Sequence, residues 1–249
     1  MIFNYLLDTI EKKGAVHVVL IDPDRKDENS IVDRVEAANQ SNVDALFIGG
    51  SLIMDSRCSD RVKLIKSISN IPIILFPGGI GQLNPYYDAM LFMSVVSGRN
   101  PHYLIGEQVL AAPLVKDMNI ETISTAYILM DGGANSSVEI ISGTRAIPMG
   151  RVEIAIAHAL ASQYLGMKLV YLEAGSGAKQ PIHSSVIQGV KNSIDIPIIV
   201  GGGIKTPLEA EKVVKSGASI IVTGTVFEEN TTLMKEIADA IHVGYSNER

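Results

Sequence analysis

Tryptophan is absent from this 249-residue chain, cysteine occurs once, and only 19% of residues are charged. The single cysteine, Cys58, has no intrachain partner, and no CxxC or zinc-ligand spacing surrounds it. A disulfide scaffold and a cysteine-based metal centre are therefore excluded, and a reducing cytoplasm fits. Positive charge is not in excess: 21 Lys and Arg against 27 Asp and Glu leave a formal net charge of −6. With no broad basic surface, DNA, RNA and anionic lipid surfaces are not expected as general partners, and any bound anion must be held locally. Long apolar runs are missing as well. Each is broken by Gly, Pro or a charge, well short of the roughly 18–20 residues that cross a bilayer. The start, Met1-Ile2-Phe3-Asn4-Tyr5-Leu6-Leu7-Asp8, lacks the basic lead-in and the apolar stretch of about 7–15 residues of a secretory signal, so no export is expected.

What is present is apolar material in short pieces. Hydrophobic residues make up 47% of the chain, too much for a disordered or solvating polymer. Eight β-branched runs recur at 17–22, 45–50, 73–76, 89–95, 121–130, 168–173, 197–202 and 219–224. They are almost continuously apolar instead of alternating, the pattern of parallel strands covered on both faces. Helical patterns lie at 27–41, 60–69, 102–118, 151–164, 184–192, 207–216 and 228–241, with Thr206-Pro207 offering an N-cap and a proline at the first helical position. Eight β/α units at this length predict a closed (β/α)8 barrel over an open doubly wound sheet. No linker-like composition divides residues 1–249, which reads as a single domain.

One unit departs from the pattern. Residues 77–88 hold three glycines and two prolines, which a covering helix does not tolerate. The helix after the third strand is expected to be replaced by an irregular segment. A barrel short of one outer helix leaves apolar sheet uncovered there, to be met by the segment itself, a partner subunit or an apolar ligand.

In such barrels reacting groups stand at the C-terminal ends of the strands. Strands seven and eight end in Val200-Gly201-Gly202-Gly203-Ile204 and Val222-Thr223-Gly224-Thr225. Glycines let backbone N–H groups approach a phosphate closely, and a helix starting at the second site adds a favourable dipole. Strand six ends in Tyr171-Leu172-Glu173-Ala174-Gly175-Ser176-Gly177, where Glu173 could take a proton from a hydroxyl whose phosphate lies in the adjacent cradle. Strand one ends in Asp22-Pro23-Asp24 and strand two in Gly49-Gly50-Ser51. A carboxylate and a hydroxyl from neighbouring strands suit Mg²⁺, which keeps several waters and bridges phosphates, and this pair is expected on the side of the barrel opposite the cradle. Asp24 or Asp27 also suits a helix N-cap. The five histidines share no metal-ligand spacing, Arg99, Asn100 and Tyr127 serve structure as readily as substrate contact, and neither a P-loop nor a dinucleotide fingerprint is present.

Taken together, Leu20-Ile21-Asp22-Pro23-Asp24, Ile48-Gly49-Gly50-Ser51, the strand-six run Tyr171 to Gly177, Val200 to Ile204 and Val222 to Thr225 resemble the geranylgeranylglyceryl phosphate synthases, with Ser97-Gly98-Arg99-Asn100-Pro101 as a further match. The likeness covers nearly the whole chain, and Thr225, where the family's bacterial branch often has Asn, makes it closer to the archaeal-type group. The resemblance implies a modified TIM barrel whose third helix is replaced by a non-helical segment. It implies attack of the C3 hydroxyl of sn-glycerol 1-phosphate on C1 of geranylgeranyl diphosphate, forming an ether and releasing diphosphate, in the synthesis of archaeal-type membrane lipids. It also implies Mg²⁺ at Asp22 and Ser51, glycerol phosphate on Tyr171, Leu172, Glu173, Ala174, Gly175, Ser176, Gly177, Gly202, Gly203, Gly224 and Thr225, catalytic roles for Glu173 and Asp22, a cytoplasmic setting and a homo-oligomer, dimer or larger. The prenyl tail is expected beside residues 77–88. The glycine sites alone also fit an isomerase or lyase acting on another phosphate, or a non-catalytic module that binds a phosphorylated metabolite; neither predicts a continuous apolar groove.

Overall fold

The computed structural model describes residues 1–24, 28–229 and 231–243. Eight parallel strands close on themselves in chain order: β1 (Val16–Ile21), β2 (Ala45–Ile48), β3 (Ile73–Leu75), β4 (Ala89–Val95), β5 (Glu121–Leu129), β6 (Leu169–Glu173), β7 (Ile198–Gly201) and β8 (Ile220–Thr223). β1 completes the circle against β8, with Val16 opposite Ile220 and Val19 opposite Thr223. The helices, in chain order, are α1 (Ile2–Lys13), α2 (Glu28–Gln40), α3 (Cys58–Ile68), α4 (Glu107–Asp117), α5 (Ser137–Ser142), α6 (Val152–Tyr164), α7 (Ser184–Lys191), α8 (Pro207–Lys215), α9 (Thr225–Glu229) and α10 (Leu233–Val243). The cap at α8 is as expected: Thr206 and Glu209 form a capping box with Pro207 in the first turn.

Strand periodicity sorts the apolar residues into two shells. Val16 and Val18 of β1, Leu169 and Tyr171 of β6, Ile199 of β7, and Ile220 and Val222 of β8 belong to the cluster inside the barrel. Their alternates Val19, Ile21, Val170, Leu172, Ile198, Val200 and Ile221 belong to the cluster beneath the helices. Counting on by twos, Asp22, Glu173, Gly201 and Gly224 occupy the next inward places at the C-terminal mouth. This parity selects which strand-end residues can face a ligand.

Between β3 and β4 the chain makes only a single 3-10 turn, Ile80–Gln82, so the expected loss of a covering helix is observed. Two helices have no counterpart in the sequence pattern. The first, α1, places Leu6 in the interior cluster with Ile2, Phe3 and Ile10 packed against it, closing the N-terminal end of the barrel. Its N–H groups at Ile2 and Phe3, which no helical carbonyl can reach, donate to the Glu121 carboxylate at 2.5 and 3.0 Å, so β5 caps this helix from a distance. The second is the short α5, capped by Ser136.

Two expected helices are subdivided. The pattern at 102–118 begins as a π-helical turn, His102–Gly106, before α4, and that at 228–241 becomes α9 and α10. Thr231 and Thr232 precede α10, and threonine hydroxyls compete for backbone groups that a continuous helix would use. Among the described residues no helix is long and apolar enough to cross a membrane.

Candidate active site

The glycine cradle is built from three neighbouring strands. Glu173 of β6 pairs with Gly201 of β7, and Gly201 with Val222 of β8. Gly202 and Gly203 hold left-handed backbone, φ +85° and +75°. A Cβ on Gly202 would stand 2.7 Å from Glu173 Oε1 and 2.9 Å from the Gly175 carbonyl oxygen, and one on Gly203 would stand 2.5 Å from the Gln180 carbonyl. Side chains other than hydrogen do not fit, so bare backbone faces the mouth. Gly224 has its own close neighbour, the Leu20 carbonyl oxygen, which would lie 3.2 Å from a Cβ placed there. Thr225 is exposed at the start of α9, and Ser176 and Gly177 are exposed at the tip of the β6 loop. Leu172 and Ala174 point away, into the shell under the helices, and can offer a ligand only their backbone.

Glu173 lies inside this arc, 7% exposed. Its Oε1 accepts the Gly175 N–H at 2.7 Å, and its carboxylate is also hydrogen-bonded by the Tyr171 hydroxyl. Burial raises the Glu173 pKa, and these two donors oppose the rise without cancelling it. The result is a carboxylate that holds a proton more readily than an exposed one, as suits a group that must accept one. Tyr171 is fully buried, and its pKa is pushed well up, first by burial and then by the Glu173 charge. Its ring belongs to an aromatic layer across the barrel, 5.6 Å from Tyr127 and 5.4 Å from Phe76, with Phe76 stacked on Phe47 at 6.1 Å.

Asp22 and Ser51 lie just beyond the ends of the neighbouring strands β1 and β2. The Asp22 carboxylate lies directly over Gly50, where a Cβ would be 2.9 Å from both of its oxygens, and Gly50 precedes Ser51. Oδ1 of Asp22 accepts the Asp24 N–H at 2.9 Å. Asp24 in turn accepts the Met54 N–H at 2.9 Å, tying the β1 loop to the β2 loop; Asp27, the other residue expected as a cap, lies outside the described residues. Arg61 of α3 braces the same corner, donating to the Pro23 carbonyl at 3.1 Å and to both Asp55 oxygens at 3.0 and 2.8 Å. The expected position opposite the cradle needs correcting. Barrel closure makes β1 the neighbour of β8, so Asp22 adjoins the Gly224 end of the cradle; only Ser51, in the loop after β2, stands four strands from Glu173.

The residues present fit a Mg²⁺ ion. A carboxylate and a hydroxyl supply hard oxygen donors at one mouth corner, where Gly50 leaves room for the carboxylate, and Mg²⁺ takes its remaining ligands from water and substrate oxygens. Among the described residues no group of three or more His, Cys, Asp and Glu could hold a metal by itself.

From Gly50 and Ser51 an apolar groove leaves the mouth. A first compartment is walled by Phe76, Tyr127, Val138 and Ile141. It shares Pro77, Gly78, Met93, Val95 and Tyr103 with a second that reaches Ile80, Leu83, Met90, Phe92 and Ala111. The groove thus passes through the gap left by the missing helix, against residues 77–88. Arg99 and Asn100 serve the backbone instead: Arg99 donates to the Val96 and Gly98 carbonyls at 3.3 and 2.6 Å, and Asn100 to the Ser142 carbonyl at 2.9 Å. Sequence reasoning missed the Tyr171 hydroxyl as a partner of Glu173, and it missed Arg61 and Gln82. The visible signal was a pair of amides, Gln82 and Asn84, inside the Gly/Pro segment.

A parallel barrel with a backbone cradle, a buried carboxylate beside it and an apolar groove entering the same mouth defines a phosphate-handling barrel that also takes an apolar ligand. By comparison with known proteins, residues 7–242 match the PcrB family model, and the chain belongs to that family. It is 45% identical over 241 residues to the geranylgeranylglyceryl phosphate synthase of Chitinophaga pinensis, covering 97% of this chain and 96% of that one. The enzyme of the same name from Pyrococcus horikoshii is 44% identical, with 92% and 90% covered. Among solved structures, (S)-3-O-geranylgeranylglyceryl phosphate synthase from Thermoplasma acidophilum, in complex with its substrate sn-glycerol-1-phosphate, superposes with a TM-score of 0.89 at 36% identity, over 96% of this chain and 98% of the other.

Proposed function

We propose that this chain is a prenyltransferase, a geranylgeranylglyceryl phosphate synthase, acting as a single-domain barrel over residues 1–249. The observation that carries the reading is the joining of two unlike sites at one mouth: the bare-backbone cradle of Gly202, Gly203 and Gly224, and the apolar groove from Ser51 to Ala111. An isomerase or lyase of a small phosphate, or a metabolite-binding module, has no use for such a groove.

In this reading the cradle and the β6 loop hold the phosphate of sn-glycerol 1-phosphate, and Glu173 faces its C3 hydroxyl. The hydroxyl oxygen bonds to C1 of geranylgeranyl diphosphate, the C1–O bond to diphosphate breaks with its electron pair leaving on diphosphate, and Glu173 takes the hydroxyl proton. Fixing both reactants at one mouth removes much of the entropy of their encounter. Asp22 and Ser51 would hold Mg²⁺, which when bound offsets charge developing on the departing diphosphate. Phe76, Met93 and Tyr103 line the path of the prenyl tail and keep water from the allylic carbon.

The enzyme works in the cytoplasm as a homo-oligomer, dimer or larger: Ile105, Val109, Leu110 and Leu114 are exposed on one side of the π-helical turn and α4, which favours burial against a second copy. Incubation with Mg²⁺, sn-glycerol 1-phosphate and geranylgeranyl diphosphate, followed by mass analysis, should give geranylgeranylglyceryl phosphate and diphosphate. Turnover of a sugar phosphate with none of the prenyl diphosphate would overturn the reading.

A further inference from the structure

We propose that Gln82 is a positioning residue for the diphosphate end of the site, acting through the Gly50–Ser51 peptide. Gln82 closes the 3-10 turn that replaces the third helix, and it is 4% exposed. Both ends of its amide are used. Nε2 donates to the Gly50 carbonyl at 2.6 Å, and Oε1 accepts the Gly78 N–H at 2.9 Å.

Two glycines make room for this contact, and a third for the Asp22 carboxylate beside it. A Cβ on Gly49 would collide with the Phe76 carbonyl and reach 3.4 Å from Gln82 Oε1, while one on Gly78 would collide with the Gly50 carbonyl and reach 3.1 Å from Gln82 Nε2. A Cβ on Gly50 would strike the Asp22 carboxylate. The Gly50 carbonyl belongs to the peptide plane that leads into Ser51, so fixing that oxygen fixes where the Ser51 hydroxyl starts from and what the Asp22 carboxylate lies against. The turn is itself anchored to the groove wall, since Ile80 N–H donates to Glu107 of α4 at 2.9 Å. Groove wall, turn and metal corner are therefore one hydrogen-bonded series, with the Gln82 side chain as its middle link. A buried amide with both ends engaged at a loop junction is costly to replace, because either loss strands a backbone partner.

This inference rests on the prenyl-transfer reading. Its test is calorimetric titration of the full chain with Mg²⁺ plus inorganic diphosphate, and separately with sn-glycerol 1-phosphate, for the natural protein, Gln82→Met and Gln82→Glu. Gln82→Met should weaken Mg²⁺–diphosphate binding about tenfold, the equivalent of about 1.4 kcal/mol, and change glycerol phosphate binding less than about twofold. Gln82→Glu keeps the acceptor for Gly78 but not the donor for Gly50. It should match Gln82→Met at pH 8 and recover toward the natural protein as the pH falls to about 5, where a protonated carboxyl can donate again. Should Gln82→Met fail to fold, this recovery in Gln82→Glu carries the comparison. Equal loss of both ligands, or diphosphate binding within twofold of the natural protein in both variants, would overturn the positioning role alone. Absence of Mg²⁺–diphosphate binding in the natural protein would overturn the prenyl-transfer reading itself.

Discussion

The hydroxyl of Tyr171 is hydrogen-bonded to the carboxylate of Glu173, two residues along the same inward face of β6, above the bare Cα of Gly201. A Cβ at Gly201 would collide with that hydroxyl and come 2.9 Å from Glu173 Oε2, so the contact depends on glycine in the next strand. Replacing Glu173 by Gln keeps the volume and removes the proton acceptor. Turnover should fall roughly a hundred- to ten-thousand-fold, the usual range for a lost general base, with glycerol phosphate affinity within a few-fold by calorimetry. Unchanged turnover would end the assignment of Glu173 as base.

The same bond sets the pH dependence. Burial raises the Glu173 pKa while the Gly175 N–H and the Tyr171 hydroxyl lower it. A base must be charged to act, so kcat/KM should fall on the acid side with an apparent pKa above the ordinary carboxylate range. Tyr171→Phe removes one of the two opposing donors, and the acid limb should move to higher pH. A pH–rate profile of both proteins checks the direction.

At the other corner, Asp22→Asn should raise the Mg²⁺ concentration needed for half-maximal activity by about tenfold or more, with glycerol phosphate affinity little changed. An amide oxygen ligates Mg²⁺ more weakly than a carboxylate because it lacks the charge. An unaltered metal titration would remove Asp22 from the site.

Two glycines of the cradle should respond differently to alanine. At Gly202 the left-handed backbone alone costs about 1–2 kcal/mol, and the new Cβ presses on Glu173 Oε1 and the Gly175 carbonyl. Gly202→Ala should lower both the melting temperature and glycerol phosphate binding. Gly224 lacks a left-handed φ, and its nearest neighbour would be 3.2 Å away. Gly224→Ala should raise the KM for glycerol phosphate with a smaller change in Tm than Gly202→Ala, since its methyl group meets only Leu20.

Acid should destabilise the fold through His17. This imidazole is fully buried on the outer face of β1, its Nε2 2.8 Å from Thr223 Oγ1, and burial pushes its pKa down to about 3. In the unfolded chain it protonates near pH 6.5. Between these values the unfolded state binds the extra proton, so stability is complete above about pH 6.5 and is lost as pH falls toward 3. Asp44 adds to the loss at lower pH. Burial alone would raise its pKa, but hydrogen bonds from His242, Lys13 and the His17 N–H hold it below the usual carboxylate value. His17→Gln, whose amide can still reach Thr223, should flatten the fall of Tm between pH 6.5 and 4.5. Each kcal/mol corresponds to about 2–4 °C at this chain length.

The strands were legible because a strand covered on both faces needs unbroken apolar sequence, as in Ile198 to Val200 and Ile220 to Val222, and few other structures do. The replaced helix was legible because Gly78, Gly79 and Pro85 are incompatible with one. The cradle glycines showed themselves by type. Helix α1 was not legible, because Ile2, Phe3 and Leu6 acquire meaning only against the open end of a barrel that forms from distant residues. For the same reason the Asp22 and Ser51 pair was expected across the mouth. Linear order separates Asp22 from Gly224 by most of the chain, and only the β1–β8 ladder makes them neighbours. The Tyr171–Glu173 and Gln82–Gly50 contacts depend on side-chain direction, which periodicity locates to a face and no further.

The barrel stays closed by backbone hydrogen bonds on the flank where its outer helix is replaced, with Ile74 opposite Ala89 and Leu75 opposite Met90. No helix has to be docked between β3 and β4, although the π-helical turn and α4 still pack on β4. On the proposed reading, substitutions there would remodel room for the hydrocarbon while β6 to β8, which carry the glycine cradle, keep their packing, so the two halves of the site would be free to diverge at different rates.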